Sequence, residues 1–212
     1  MTFKIHQGII ILILISVIAT VFIYSSLPEK IPMHWGIKGE VDSYGSKSFA
    51  WFIALLPLAI YLLMIYVPEI DPRRESYKKH KKAYAMLMNV LVLFLITLHW
   101  IIIFSALGYQ VSVARIIPIG IGILFIVIGN YMGQIRPNYT FGIKLPWTLA
   151  DETVWKKTHR IGGYAFILSG LIFIIAGIIN KSYSFYLAMS SLFIFITYIF
   201  IYSYLEYKKI HR

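Results

Sequence analysis

Six runs of nearly continuous apolar residues, separated by five polar segments, organise the 212-residue chain. The runs are roughly Ile5–Leu27, Phe49–Val67, Ala83–Leu107, Ile116–Met132, Ile161–Ile179 and Tyr183–Ser203. Each supplies close to the ~20 residues that a helix needs to cross the hydrocarbon of a bilayer. The runs are continuous, whereas strands of a transmembrane barrel alternate apolar and polar positions. Backbone polar groups facing lipid must also be bonded within their own segment, which favours helices. The pattern therefore predicts an all-α, polytopic integral membrane bundle of six transmembrane helices.

Charge orients it. Cytoplasmic loops carry an excess of Lys and Arg. With the N-terminus inside, 15 of the 20 basic residues fall on the inner side, from Lys4 to Arg212. The outer set is Lys30, Lys38, Lys47, Arg115 and Lys181. Both termini are thus predicted to be cytoplasmic. The segment 28–48 becomes the main outer loop, and 133–160 a cytoplasmic loop.

Composition supports this reading and removes others. The chain is 59% hydrophobic and 14% charged, more apolar side chain than one small globular core can bury. It has no cysteine, which excludes disulfides, thiolate nucleophiles and Cys-based metal sites. A net charge of +11 would point to nucleic acid in a soluble protein. Here the cations flank membrane spans, so membrane lipid is the expected partner and direct nucleic-acid binding is not expected. The first run lacks a small-residue cleavage site and reads as a retained span.

The inner loop is chemically dense. Its "TLAD" has the form of a capping box, with Thr148 as N-cap and Asp151 at the third helical position. A helix is predicted from about Leu149 into the fifth span. Glu152, Trp155 and His159 share a face of it, and Lys156 and Arg160 form a basic row beside them. Such residues serve as interfacial anchors, with Trp147 and Trp155 at headgroup depth. The added prolines, caps and His159–Arg160 pair exceed what anchoring needs. Farther on, Gly162/Gly163, Ser169/Gly170 and Ala176/Gly177 recur every seven residues, and Gly129 and Gly133 form a GxxxG. Small residues so placed let helices approach closely in lipid.

Two polar residues of the third run carry hydrogen-bonding chemistry of interest. His99 is either a functional ionisable group or a neutral imidazole bonded to a neighbouring helix. Asn89, near the inner boundary, is expected to make an interhelical hydrogen bond. In the outer loop, His34, Glu40 and Asp42 lack any metal-ligand spacing. No metal and no cofactor are expected. "GIKGEVDSYGSK" is rich in turn-forming residues, and beside it His34 and Trp35 form a surface that a peptide could touch. No Ser/His/Asp set or paired intramembrane carboxylates occur, so enzyme activity is not expected.

Residues 129–163, "GNYMGQIRPNYTFGIKLPWTLADETVWKKTHRIGG", resemble the signature of the SdpI family, bacterial membrane proteins named for immunity to a secreted sporulation-delaying peptide toxin. The outer "LPEKIPMHWGIKGEVDSYGSK" is similar to a small domain of unknown function that precedes the signature in many members. The resemblance implies an N-terminal two-span domain, residues 1–82, and a four-span domain, residues 83–212. It puts weight on Asn130, Arg136, Asn138, Gly142, Lys144, Pro146, Trp147, Thr148, Leu149, Trp155, His159 and Arg160 in the signature loop. Outside, it points to Pro32, His34, Trp35, Gly39, Asp42 and Lys47. The chain departs from many members at Lys144-Leu145, where they have Arg-Thr before the Pro-Trp. A guanidinium and an ammonium are not equivalent donors. The implied role is toxin immunity and signalling in the bacterial cell membrane. The partners it implies are a secreted peptide toxin outside and a cytoplasmic repressor inside. An exporter of hydrophobic peptides is the alternative, and would need a polar path through the spans.

Overall fold

The computed structural model describes residues 6–211. Ile5, Lys4 and Arg212, used above for the first span and the charge count, lie outside them. Six helices are long and apolar enough to cross a membrane: α1 (Gln7–Tyr24), α2 (Phe49–Ile70), α4 (Lys81–Ala106), α5 (Val113–Met132), α7 (Glu152–Ile179) and α8 (Ser182–Ile210). Between them lie two short helices, α3 (Ser76–Lys79) and α6 (Pro146–Ala150), and two strands, β1 (Lys30–Trp35) and β2 (Val41–Ser46). The expected bundle is present. What its hydrophobic pattern does not reveal is the hairpin: the 28–48 segment is an antiparallel ribbon, more than a set of turns.

The ribbon's irregularity follows from its sequence. Register slips between Pro32 and His34 and again before Trp35. Pro32 has no N–H to give to a ladder, a place where bulges are tolerated. The tip closes through Gly36 N–H to the Glu40 carbonyl and Gly39 N–H to the Gly36 carbonyl, both 2.9 Å. Gly39 adopts φ +85°, a conformation glycine takes without steric cost. Ile31 is fully buried, with Leu27, Ala50, Ile53 and Ile103, and seats the hairpin on one end of α1, α2 and α4.

Two packing styles divide the spans. Helices α1, α2 and α4 meet through large side chains, with Ile9, Ile13, Tyr61, Met88 and Val92 in a common buried cluster. Helices α5 and α7 meet backbone to backbone. A Cβ on Gly122 would lie 2.5 Å from the Gly170 carbonyl oxygen, and one on Gly129 2.5 Å from that of Gly163. A Cβ on Gly177 would lie 2.7 Å from the Arg115 carbonyl oxygen. The expected small-residue seam on α7 is there. Its partner on α5 is Gly122 and Gly129, whereas Gly133 has nothing within 4 Å of its Cβ position and takes no part. In lipid no hydrophobic force drives helices together, so this close approach and its dispersion contacts hold the pair.

The intramembrane polar residues divide. His99 is 1% exposed, and its Nε2 lies 2.9 Å from the Thr20 hydroxyl on α1. That hydroxyl is also 2.8 Å from the Ser16 carbonyl. A carbonyl can only accept, so Thr20 donates to Ser16 and accepts from His99 Nε2–H. Trp100 Nε1–H donates to the Ser16 hydroxyl at 3.0 Å. His99 is thus tied to a neighbouring helix. Asn89 differs from expectation: its Oδ1 is buried with no hydrogen-bond partner among the described residues.

Candidate functional site

At the bundle end opposite the hairpin, residues 133–151 fold back on the starts of α3, α4 and α7 as a bonded cradle. Asp71, directly after α2, is its hub. It is 2% exposed. Its carboxylate accepts from Arg73 N–H at 2.7 Å, Tyr139 N–H at 3.0 Å and the Tyr77 hydroxyl at 3.1 Å. Tyr77 also contacts the Thr140 hydroxyl. Burial alone would raise the Asp71 pKa. The Arg73 and Tyr139 N–H groups and the two hydroxyls outweigh it and hold the carboxyl below its ordinary value. One carboxylate thereby joins the α2 terminus, α3 and the signature loop.

His80 performs the same service at the start of α4. Its Nδ1 accepts from Arg136 N–H at 3.1 Å. Burial, reinforced by the Arg136 guanidinium against the opposing charge of Asp71, pushes its pKa down to about 4. The imidazole is therefore neutral at physiological pH. Its other nitrogen is buried without a partner among the described residues. Tyr77, Tyr84, His80 and Phe141 form a ring cluster with centroids 5.0–5.9 Å apart.

Asn138, fully buried, shapes the loop itself. Its side-chain oxygen accepts from Thr140 N–H at 3.0 Å and Phe141 N–H at 2.8 Å, and its amide donates to the Arg136 carbonyl at 2.9 Å. This is the local mimicry of a backbone turn for which Asn is suited. Gly142 follows at φ +112°, and a Cβ there would fall 2.6 Å from His159 Nε2. His159 occupies that space. Its Nε2 accepts from Ile143 N–H at 3.0 Å, and its Nδ1 faces the Trp155 carbonyl at 2.9 Å and so carries the proton. The ring stacks on Trp155 with centroids 4.1 Å apart. Both side chains are 0% exposed, and Trp155 Nε1–H donates to the Ile135 carbonyl at 2.9 Å.

Thr148 is not an N-cap: it sits at the third position of α6, where its oxygen accepts from Leu145 N–H at 2.8 Å. Asp151 is the N-cap, accepting from Thr153 N–H at 2.7 Å and Val154 N–H at 2.9 Å, so the long helix begins at Glu152 and not near Leu149. Those N–H bonds, Val154's first, hold its carboxyl below the ordinary value. The error lay in reading one helix across a break where Asp151 is extended. Trp155 is not an interfacial anchor, because it is wholly enclosed. Glu152, on the face expected to be shared with Trp155 and His159, is exposed while they are buried.

The remaining signature residues are peripheral to the cradle. Lys144 Nζ donates to the Tyr139 and Thr140 carbonyls at 3.1 and 2.8 Å, so an ammonium can close the loop at this position. Pro146 opens α6, and Trp147 Nε1–H donates to the Ser203 hydroxyl on α8 at 2.7 Å. Leu149 packs against the cluster around Trp155. Asn130 and Arg160 are exposed and Arg136 is half-buried. The sequence reading missed Asp71, Tyr77, His80 and Ser203. Asp71-Pro72 after a span and Tyr77-x-x-His80 were visible, yet nothing local says that they bond to a loop some 60 residues away.

At the other end the weighted residues are more open. His34 Nδ1 and Asp42 lie 2.6 Å apart, with side chains 70% and 46% exposed. Trp35 is half-buried, and Lys47 Nζ sits 4.9 Å over the Tyr24 ring. Gly39 rests against α5, where a Cβ would stand 3.0 Å from that of Ala114. Among the described residues no group of three or more His, Asp or Glu side chains is placed to hold a metal ion.

Comparison with known proteins reaches both ends of the molecule. Residues 134–204 match the SdpI/YfhL protein family, and residues 11–60 match a domain of unknown function, DUF1648. The chain is 29% identical over 202 residues to the immunity protein SdpI of Bacillus subtilis (strain 168), covering 95% of each chain. No solved structure matches it.

Proposed function

We propose that the chain is a member of the SdpI/YfhL protein family, whose model matches residues 134–204, and a membrane immunity protein protecting its cell from a secreted antimicrobial peptide. The observation that carries this reading is the likeness to an immunity protein over 95% of both chains, which takes in hairpin and cradle alike. The excess of basic residues at the cradle end supports placing that end in the cytoplasm and the hairpin outside. The hairpin then meets the peptide. The cradle links the ends of α2, α4 and α7, so a shift in any of these spans moves the inner surface, where a soluble repressor is held. A ligand drives such a shift only by its differential affinity for two states.

The test is expression in a bacterium sensitive to a secreted peptide toxin, with survival scored against an empty-vector strain. Protection that disappears in the His34→Ala/Trp35→Ala variant, present at normal level in the membrane, supports the proposal. Equal killing with and without the chain, for each cognate candidate peptide, defeats it. Repressor capture is read separately, as membrane recruitment of the soluble protein that depends on Arg160.

A further inference from the structure

A cavity of about 850 Å³ lies at the hairpin end, between the ribbon and the adjoining ends of α5, α7 and α8. It exists because the hairpin tip is propped on α5: Gly39 meets Ala114, and the ribbon spans the space beyond. Its walls are Ile117, Pro118 and Ile121 of α5, Ala176 of α7 and Phe185 of α8, with Trp35 of the ribbon opposite. Ligand sites have this character, mostly apolar with a few polar groups and ~300–1,000 Å³ in volume.

The polar groups specify what fits. Lys38, from the hairpin turn, and Lys181, from the α7–α8 junction, both line the cavity. Asp42 is the one acidic residue among the lining side chains, and it faces His34 at 2.6 Å. The balance is cationic. Pro118 adds a second feature. Having no N–H, it leaves the carbonyl of Ala114, another lining residue, without its usual helical donor. An acyl chain offers no N–H donor to such a carbonyl, whereas a peptide does.

We propose that this cavity recognises an apolar peptide segment carrying a carboxylate, which would lie against Lys38 and Lys181 while the apolar side chains fill the space between α5 and α8. The proposal rests on the immunity reading for the source of the peptide, but its chemistry can be tested alone. Residues of α5, α7 and α8 thereby join the hairpin in one site, although the sequence separates them widely.

The test uses the full chain in phosphatidylcholine nanodiscs and a fluorescent, N-acetylated Leu/Phe hexapeptide, made with a free C-terminal carboxylate and as its C-terminal amide. The carboxylate form should bind about tenfold more tightly than the amide. Lys38→Ala/Lys181→Ala should erase that difference, and Ile117→Trp, which fills the cavity, should weaken both forms. Equal affinity of the two forms in the native chain overturns the proposal, as does binding untouched by the lysine pair. Should Ile117→Trp fail to accumulate, the exposed lysine pair carries the test. Phosphatidylglycerol that displaces the peptide and stays bound to the native chain, but not to the lysine variant, makes this a lipid site and also overturns it. Survival assays separate the two readings. A lysine variant that protects cells as well as the native chain sinks the cavity site and spares immunity. Native chain that binds the carboxylate peptide yet fails to protect sinks immunity and leaves the site standing.

Discussion

The two ends of the molecule use similar residues in opposite ways. The cradle holds two histidines, a tryptophan, an aspartate and an asparagine, each bonded to backbone and nearly all buried. The hairpin also offers a histidine, a tryptophan and an aspartate, but its His34–Asp42 pair is open to solvent and beside a cavity. A buried polar group bonded to backbone fixes a shape, whereas one left exposed can still exchange water for a ligand. The difference supports the proposal that one end is architecture and the other recognition, although the residue types alone look alike.

That contrast presupposes that the ends face different compartments, which is the all-or-none test. Single cysteines at Ser43 and Thr153 face no competing thiol, since the native chain has none. On intact cells an impermeant thiol reagent should label Ser43→Cys and not Thr153→Cys. The opposite pattern reverses the orientation.

The next largest effect should come from the cradle. Trp155→Ala removes a fully enclosed side chain and its bond to the Ile135 carbonyl. Such truncations cost about 3–5 kcal/mol. Unfolding in detergent followed by fluorescence should register it, and a loss below 1 kcal/mol would return Trp155 to a peripheral role.

Acid should strain the cradle through His80. Its pKa falls from 6.5 in the unfolded chain to about 4 in the folded one. Between those values the unfolded chain binds the additional proton, so stability declines as pH drops from about 6.5 toward 4. The facing groups pull in both directions, with Arg136 lowering the pKa and Asp71 raising it. His80→Gln keeps an acceptor for Arg136 N–H and removes the titration. Unfolding curves at pH 7 and 4.5 should therefore diverge less for the variant than for the native chain. Equal acid sensitivity would place the dependence elsewhere.

The smallest stability change belongs to the hairpin. An exposed pair such as His34–Asp42 is worth about 0–1 kcal/mol, so Asp42→Asn should leave the melting temperature nearly unmoved. Its effect should fall on protection instead. A large melting shift would mean that the hairpin is as structural as the cradle.

The spans and the α7 seam were legible because each follows from a rule local to the chain: hydrocarbon length for the helices and seven-residue spacing for Gly163, Gly170 and Ala176/Gly177. The hairpin was not, since Lys30–Trp35 and Val41–Ser46 mix Pro, Gly and charge in a way that also describes a loop. Within the signature, Asn138, Gly142, Trp155 and His159 were found through family resemblance, but their purpose was hidden. That His159 fills the space vacated at Gly142 depends on two segments meeting, as does Asp71 reaching Tyr139. The α6–α7 break was misread because Thr148 and Asp151 each suit a cap, and only the backbone decides which one serves.

The glycine seam between α5 and α7 has a consequence for motion. Two turns of an undistorted helix take about 7.2 residues, so small residues repeating every seven drift slowly around it unless the helices coil left-handedly about each other. Gly122 and Gly129 against Gly170 and Gly163 are thus two teeth of one coiled ratchet. Sliding either helix by a residue would drive a side chain onto a carbonyl, as the 2.5 Å Cβ positions indicate. The pair turns or tilts as a unit or not at all. Any signal that crosses the bilayer through it must be a rigid movement, absorbed at its unzipped ends: the left-handed Asn180 on the cavity side and the loop from Gly133 to Leu145 on the other.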